Sequence, residues 1–245
     1  MKTADIAVTL LDHMGSDLTV VNAARVSFDK ASGFEWNHEE LCVKLSDADA
    51  RLVKYLAKHD HWSPFAHTSV QFRVKAPIFV ARQLVKHQVG GVLNEVSRRY
   101  VDSEPEFYIP KEWRSRPEGS VKQGSGAPVR DQILVGDVVK KVTKEALETY
   151  NAMLAHGVAP EMARMVLPQH TMTEWYWTGS LMFWARVCRQ RLDSHAQEES
   201  RQVALLISQH MRELFPVSWD VLMNPKQEPS TRKPCYLLSP QKDST

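Results

Sequence analysis

Thr68-Ser69-Val70-Gln71-Phe72-Arg73-Val74, followed by Lys75-Ala76-Pro77-Ile78-Phe79-Val80-Ala81-Arg82-Gln83-Leu84-Val85-Lys86-His87, is the stretch from which the rest of the chain is read. Its first seven residues alternate with period two and place Val70, Phe72 and Val74 on one face, the pattern of a half-buried strand. Pro77 suits the first turn of a helix, where a backbone N–H has no intrahelical acceptor in any case. From Ile78 to about His87 the apolar residues Ile78, Ala81, Leu84 and Val85 recur at helical spacing, and Gln83, Lys86 and His87 stand three and four apart on a polar face. Gly90-Gly91 ends that helix, so the stretch predicts a strand, a helix and then a loop.

The residues that follow, Gln88-Val89-Gly90-Gly91-Val92-Leu93-Asn94-Glu95-Val96-Ser97-Arg98-Arg99-Tyr100, are rich in charged and hydrogen-bonding side chains. Such a run is costly to bury and points to an anionic ligand, with the loop carrying Asn94, Glu95, Ser97 and Arg99 back over the polar face of the helix. Taken singly, Lys86 or Arg98 reads more simply as part of a solvated helix end.

Composition narrows the choice of function. With 245 residues the chain can bury one large core, and the expectation is a single catalytic domain over 1–224 with a mobile loop near 114–130 and a frayed tail over 225–245. Lys+Arg 31 against Asp+Glu 29 gives a formal charge of +2, too balanced for a protein that binds nucleic acid by its overall field, so anion recognition has to be local. No apolar run approaches the ~20 residues of a membrane span, and Met1-Lys2-Thr3-Ala4-Asp5 opens no signal peptide, so a cytoplasmic protein is expected. Three widely spaced cysteines, Cys42, Cys188 and Cys235, suggest no disulfide framework. Cys188 lies between Arg186 and Arg189, which could activate a thiol, but no partner base is evident and packing is the simpler reading.

Further strands and helices follow from periodicity and punctuation. A strand is expected over Ile6 to Leu11, and helices over Ser46 to His59, Asp131 to His156, Pro160 to Met165 and Thr173 to Leu192. Ser194-His195-Ala196-Gln197 resembles a capping box that opens a last helix reaching Phe215. Between Arg114 and Arg130, Pro117, Gly119, Gly124, Gly126 and Pro128 mark a loop. Its Gly124-x-Gly126 is no dinucleotide fingerprint, since Val129 replaces the third glycine and no strand precedes it.

Two rival functions have a basis in the residues. His59, His61 and His67 could serve a metal-dependent hydrolase, yet no further ligands stand at metal-binding spacing and no HExxH or CxxC accompanies them, so no metal is expected. Arg98, Arg99, Arg186, Arg189 and Arg191 with the seven tryptophans could form a nucleic-acid-binding module. Trp175, Trp177 and Trp184, however, fall near Leu181, Met182 and Phe183 in one apolar segment and read as core or subunit interface.

Lys86-His87-Gln88 and Asn94-Glu95-Val96-Ser97-Arg98-Arg99-Tyr100 resemble the signature of the flavin-dependent thymidylate synthases, Arg-His-Arg, a short spacer and Asn-Glu-x-Ser-x-Arg-Tyr. Lys86 and Gln88 replace the two arginines, and the spacer is one residue longer. Other blocks of that family occur in order: Ala24-Arg25-Val26-Ser27-Phe28, His61-x-Ser63-Pro64-Phe65-x-His67, Val74 through Gln83, Phe107-Tyr108-Ile109-Pro110, Ala163-Arg164-x-Val166-Leu167-Pro168 and Arg191-x-Asp193-Ser194-His195-Ala196-Gln197-x-Glu199. They span most of the chain. Ala66 departs from the family, whose members often carry a glutamate there.

The resemblance implies an α/β fold of the α+β type, a small and largely antiparallel sheet wrapped by helices, in a homotetramer with shared active sites. It implies conversion of dUMP to dTMP with 5,10-methylenetetrahydrofolate as carbon donor and NADPH as reductant through FAD, and release of tetrahydrofolate. Arg191 and His61 match catalytic positions, His61 at the flavin and folate side. Gln83, Glu95, Ser97, Arg98, Arg99, Arg164 and Arg191 match dUMP-binding positions, and Ser27, Ser63, Lys86, His87, Gln88, Ser180, Arg186 and His195 match FAD-side positions. A guanidinium suits a nucleotide phosphate because its donors are planar, paired and always charged.

Overall fold

The computed structural model describes residues 1–38, 41–101, 103–119, 123–224 and 236. A four-stranded sheet runs in the order Ala7–Met14, Ser69–Pro77, Met172–Gly179, Gly91–Glu95. Cross-strand side chains show the sense of its central pair: Gln71 donates to Thr178 at 3.0 Å and Arg73 to Glu174 at 2.6 Å, so one strand descends as the other ascends. This is the small antiparallel sheet with helices that the family resemblance implies.

The strand over Ser69–Pro77 and the helix over Ile78–Leu84 lie where the periodicity places them. Two of the helix's first N–H groups, which have no partner within it, are satisfied by chain carbonyls: Ile78 donates to Thr171 at 3.0 Å and Phe79 to Gln169 at 3.1 Å. Asp47–Lys58 is a helix capped by Ser46, whose hydroxyl accepts the Asp49 N–H at 3.1 Å.

Three expected elements differ. The segment from Thr173 to Leu192 is a strand, Met172–Gly179, followed by a helix, Leu181–Arg191. Trp175 and Trp177 are buried while Tyr176 between them is half exposed, which is period two. Their proximity to the apolar run 181–184 imitates helical spacing. The last long helix starts at Glu198, not at Ser194, because Asp193 takes the backbone N–H of His195 at 2.8 Å and holds those residues in a turn. Gly91–Glu95 is an edge strand, not a loop; Gly90, at φ 86°, reverses the chain into it. Cys42 is disulfide-bonded, against the expectation of no bridge, while Cys188 is free and buried. The expected tail lies outside the described residues except for Tyr236.

The chain divides into two compact units. One comprises Met1–Leu11, Gln71–Thr178 and Val187–Ile207. Its core includes Leu147 and Tyr150 of the long helix Gln132–Ala155, clustered with Phe107 and Ala163. The other comprises Asp12–Val70, Gly179–Arg186 and Ser208–Thr245. There the buried Asp17 carboxylate accepts the N–H groups of Val217 and Ser218, each at 2.9 Å, at the start of the Pro216–Met223 helix, and also the Tyr236 hydroxyl. In the same unit the buried Asp49 takes Arg25, at 2.9 and 2.5 Å, together with Ser32 and Ser46.

Candidate active site

The Ile78–Leu84 helix and the C-terminal end of the Leu181–Arg191 helix bring Gln83, His87 and Arg191 together. Arg191 donates from Nε to Nε2 of His87 at 2.9 Å and from Nη2 to the Gln83 carbonyl at 3.3 Å. Burial, and then the adjacent guanidinium, hold His87 below the ordinary imidazole value, so the ring is neutral and able to accept. Arg191 is half-buried too, and burial lowers its value without bringing it near neutrality.

A cleft of about 710 Å³ opens here, lined by Gln83, Arg191, His195, Gln197 and Gly124 among others. His195 is held by Asp193, which accepts its Nδ1 at 2.9 Å. Gly124 has φ 84°, a left-handed backbone that side chains rarely adopt, so glycine suits this wall.

The expected nucleotide residues separate into two groups. Gln83 and Arg191 stand in this cleft, whereas Glu95, Arg98 and Arg164 line a second cavity of about 540 Å³ in the same unit. Glu95 accepts the Thr173 hydroxyl at 2.7 Å, Arg98 donates to the Ser103 carbonyl at 2.9 Å, and Arg164 donates to the Glu161 carbonyl at 3.2 Å. Arg73 and Lys75, which also line that cavity, both pair with Glu174. The expected return of Glu95 over the Gln83 helix therefore does not occur: its place in the edge strand carries it to the second cavity. Arg99 donates to Ser97 at 3.2 Å and its guanidinium lies 4.9 Å from the Tyr100 ring centre.

The flavin-side residues are also distributed. His87 and His195 lie in the first unit with Lys86 and Gln88, which are exposed beyond the helix end. Ser27, His61, Ser63, Ser180 and Arg186 belong to the second unit. Ser27 sits in an exposed helical turn, Val26–Phe28, and Ser63 opens another, Ser63–Ala66. Ser180 accepts the Phe183 N–H at 3.2 Å and so caps the helix that ends at Arg191. His59 and His61 pack beside Tyr55, with ring centres 4.3 and 5.9 Å away, and among the described residues no group of three or more His, Cys, Asp or Glu is placed to hold a metal ion. Trp175, Trp177 and Trp184 are buried within the single chain, so these tryptophans are core and not anchors between subunits.

Gln197 also lines the cleft and is not among the expected site residues. Ser194 to Gln197 has the pattern of a capping box, which accounts for Gln197 without a ligand, and the 85 positions between Arg114 and its partner Glu199 leave no local signal of that pair.

A family model described as thymidylate synthase complementing protein matches residues 9–217. The flavin-dependent thymidylate synthase of Thermus thermophilus is 40% identical over 212 residues, covering 86% of this chain and 73% of its own. This chain is a member of the flavin-dependent thymidylate synthase family. A flavin-dependent thymidylate synthase from Kosmotoga olearia is 36% identical over 220 residues, 89% of this chain and 90% of that one. Among solved structures, a UMP/dUMP methylase, PolB from Streptomyces cacaoi bound with 5-Br dUMP, superposes with a TM-score of 0.77 at 30% identity, covering 90% of this chain and 96% of that one. The Arg191 cleft takes Arg191, Asp193, His195, Ala196 and Gln197 from the block Arg191 to Glu199, and the second cavity takes Glu95, Val96 and Arg98 from the block Asn94 to Tyr100.

Proposed function

We propose that this protein is a thymidylate synthase that converts dUMP to dTMP, with 5,10-methylenetetrahydrofolate as carbon donor and NADPH as reductant through FAD, releasing tetrahydrofolate. The observation that carries the reading is Arg191, which lines a polar cleft and donates to His87, in a chain whose relatives carry that name. A half-buried guanidinium aimed by a neutral imidazole is a fixed cation where negative charge develops on a pyrimidine as its C5 attacks. Gln83, Glu95, Ser97, Arg98, Arg99 and Arg164 supply donors and acceptors for the nucleotide, with Arg164 and Arg99 suited to its phosphate.

The chemistry of the donor set fits a flavin dinucleotide: Lys86 and Arg186 offer cations to a diphosphate, and His87, His195 and Gln88 offer hydrogen-bonding groups to a carbonyl-rich ring, with Ser27, Ser63 and Ser180 as hydroxyl partners. When bound, the flavin supplies the transfer of reducing equivalents from NADPH. His61 then stands at the flavin and folate side of the reaction. The separation of the nucleotide residues into two cavities supports a homotetramer with shared active sites, in which different copies contribute different parts. A cytoplasmic setting accords with this chemistry, and no helix among the described residues is long and apolar enough to cross a membrane.

The deciding experiment is an absorbance spectrum of purified protein, repeated after anaerobic NADPH, with methylation assayed on dUMP, giving dTMP, and, because the solved relative is named for both, on UMP, giving 5-methyl-UMP. Flavin bands that bleach, with a methylated product, are expected. Colourless protein that makes no methylated nucleotide overturns the reading. Light scattering tests the tetramer, and mixing inactive Arg99→Ala with inactive His61→Ala under exchange conditions should restore activity if sites are shared.

A further inference from the structure

The Gln83 side chain in the Arg191 cleft ends a line of hydrogen bonds that begins at a buried charge. Glu199 is 3% exposed, and both of its oxygens are taken by donors. Oε1 accepts from Nη2 of Arg114 at 2.6 Å, and Oε2 accepts from Nε2 of Gln197 at 2.9 Å. Arg114 is steadied by Ser125, whose Oγ accepts its Nε–H at 2.7 Å. Gln197 then turns its Oε1 to Nε2 of Gln83, and Oε1 of Gln83 accepts the Ser200 hydroxyl at 3.2 Å.

The sense of each amide follows from the one before it. An ionised carboxylate only accepts, so Gln197 has to face Glu199 with its nitrogen and Gln83 with its oxygen. Gln83 in turn has to answer with its nitrogen, and the Ser200 hydroxyl occupies its oxygen. The Gln83 nitrogen keeps a second hydrogen. A glutamine without this constraint could show a ligand either end; here the order is set from a distance.

We propose that Glu199 is a positioning residue that fixes Gln83 as a hydrogen-bond donor in the Arg191 cleft, with Arg114 holding the carboxylate in place. The ligand atom that Gln83 meets is therefore an acceptor, a carbonyl or phosphate oxygen, and not an amino group. The proposal rests on the reading of this cleft as a dUMP site.

The test is a double-mutant cycle on dUMP affinity, measured by calorimetry on the full chain, with steady-state kinetics beside it. Glu199→Gln keeps the size of the side chain but removes its acceptor-only character, so the amides can turn over. Loss of the set donor is expected to weaken dUMP about tenfold, the size of one hydrogen bond to an anionic ligand. The change should fall on KM for dUMP with kcat little altered. Gln83→Ala should weaken dUMP similarly, and the double variant should bind no worse than Gln83→Ala alone. Arg114→Lys, which keeps the charge, should retain most of the affinity. Should Glu199→Gln fail to fold, Gln197→Met cuts the same line while leaving the Arg114–Glu199 pair. Effects of Glu199 or Gln197 that multiply with that of Gln83 overturn the proposal. A wild-type protein that binds dUMP but forms no dTMP overturns the functional reading alone, and one that binds no dUMP overturns both.

Discussion

Nε of Arg191 donates to Nε2 of His87 at 2.9 Å, which fixes the imidazole as the tautomer with its proton on Nδ1. His170 is the opposite case. Its Nε2 lies 2.8 Å from the Thr143 hydroxyl, whose own proton goes to the Val139 carbonyl at 2.7 Å, so His170 has to donate from Nε2.

Replacing Arg191 separates the two halves of the proposed reaction. Arg191→Ala should lower dTMP turnover by about a hundredfold or more, the loss of a preorganised donor worth ~2.7–4 kcal/mol, while NADPH oxidation through the flavin persists. Arg191→Lys should not restore turnover, because a lysine has no planar fork to rest on His87. Wild-type turnover in Arg191→Ala would remove this residue from the chemistry.

Acid should destabilise the protein through His87 and His170. Burial and the Arg191 guanidinium depress His87, and burial depresses His170. The unfolded chain takes up protons below about pH 6.5, its ordinary imidazole value, where the folded chain does not. This contribution is therefore complete above that pH and is lost as the pH falls towards the depressed folded values. Urea midpoints should drop between about pH 7 and about pH 5.5, and the drop should shrink in His170→Gln. An unchanged slope in that variant would show that His170 is not a source.

Elements with strong local signals were legible. The Ser46 cap with its helix, the alternation from Val70 to Val74 and the helix after Pro77 depend on neighbours in sequence, and they stand where the residues place them. The strand Met172–Gly179 was read as helix because its alternating tryptophans run into four consecutive buried apolar residues, Leu181 to Trp184, and a moving window merges the two periods. Gln83, His87 and Arg191 could be named from their types and motifs. Their hydrogen bonds could not be foreseen, since partners 104 and 108 positions apart meet only after the sheet forms. The separation of Glu95 from Gln83 has the same origin, since sheet order decides where an edge strand lies.

Cys188 should be dispensable for catalysis. It is fully buried, its thiol lies 3.5 Å from the Ala204 carbonyl, and burial pushes it far above the range in which a thiolate forms. Cys188→Ala should keep dTMP turnover and flavin content, with only the modest stability cost of a small cavity. A folded, flavin-loaded but inactive variant would reverse that conclusion.

Gly179 should tolerate no side chain. A methyl group there would sit 2.1 Å from Cδ1 of Phe183, an aromatic ring in the first turn of the helix that ends at Arg191. Gly179→Ala should cost about 1–3 kcal/mol by overpacking, read as a lower denaturant midpoint. Pairing it with Phe183→Leu should recover part of the loss, and no recovery would place the strain elsewhere.

Each of the two units is assembled from three separated lengths of chain, and side chains 107 positions apart, Gln71 and Thr178, are hydrogen-bonded in the sheet. No single cut can release either unit as a continuous polypeptide. Loop closure has to be met before those contacts reward it, so the protein has a high contact order and should fold slowly as a whole. A nascent chain that has emerged only as far as Val70 has neither the Gly179–Arg186 nor the Ser208–Thr245 segment of its unit, and its hydrophobic surface stays uncovered until those later segments have emerged.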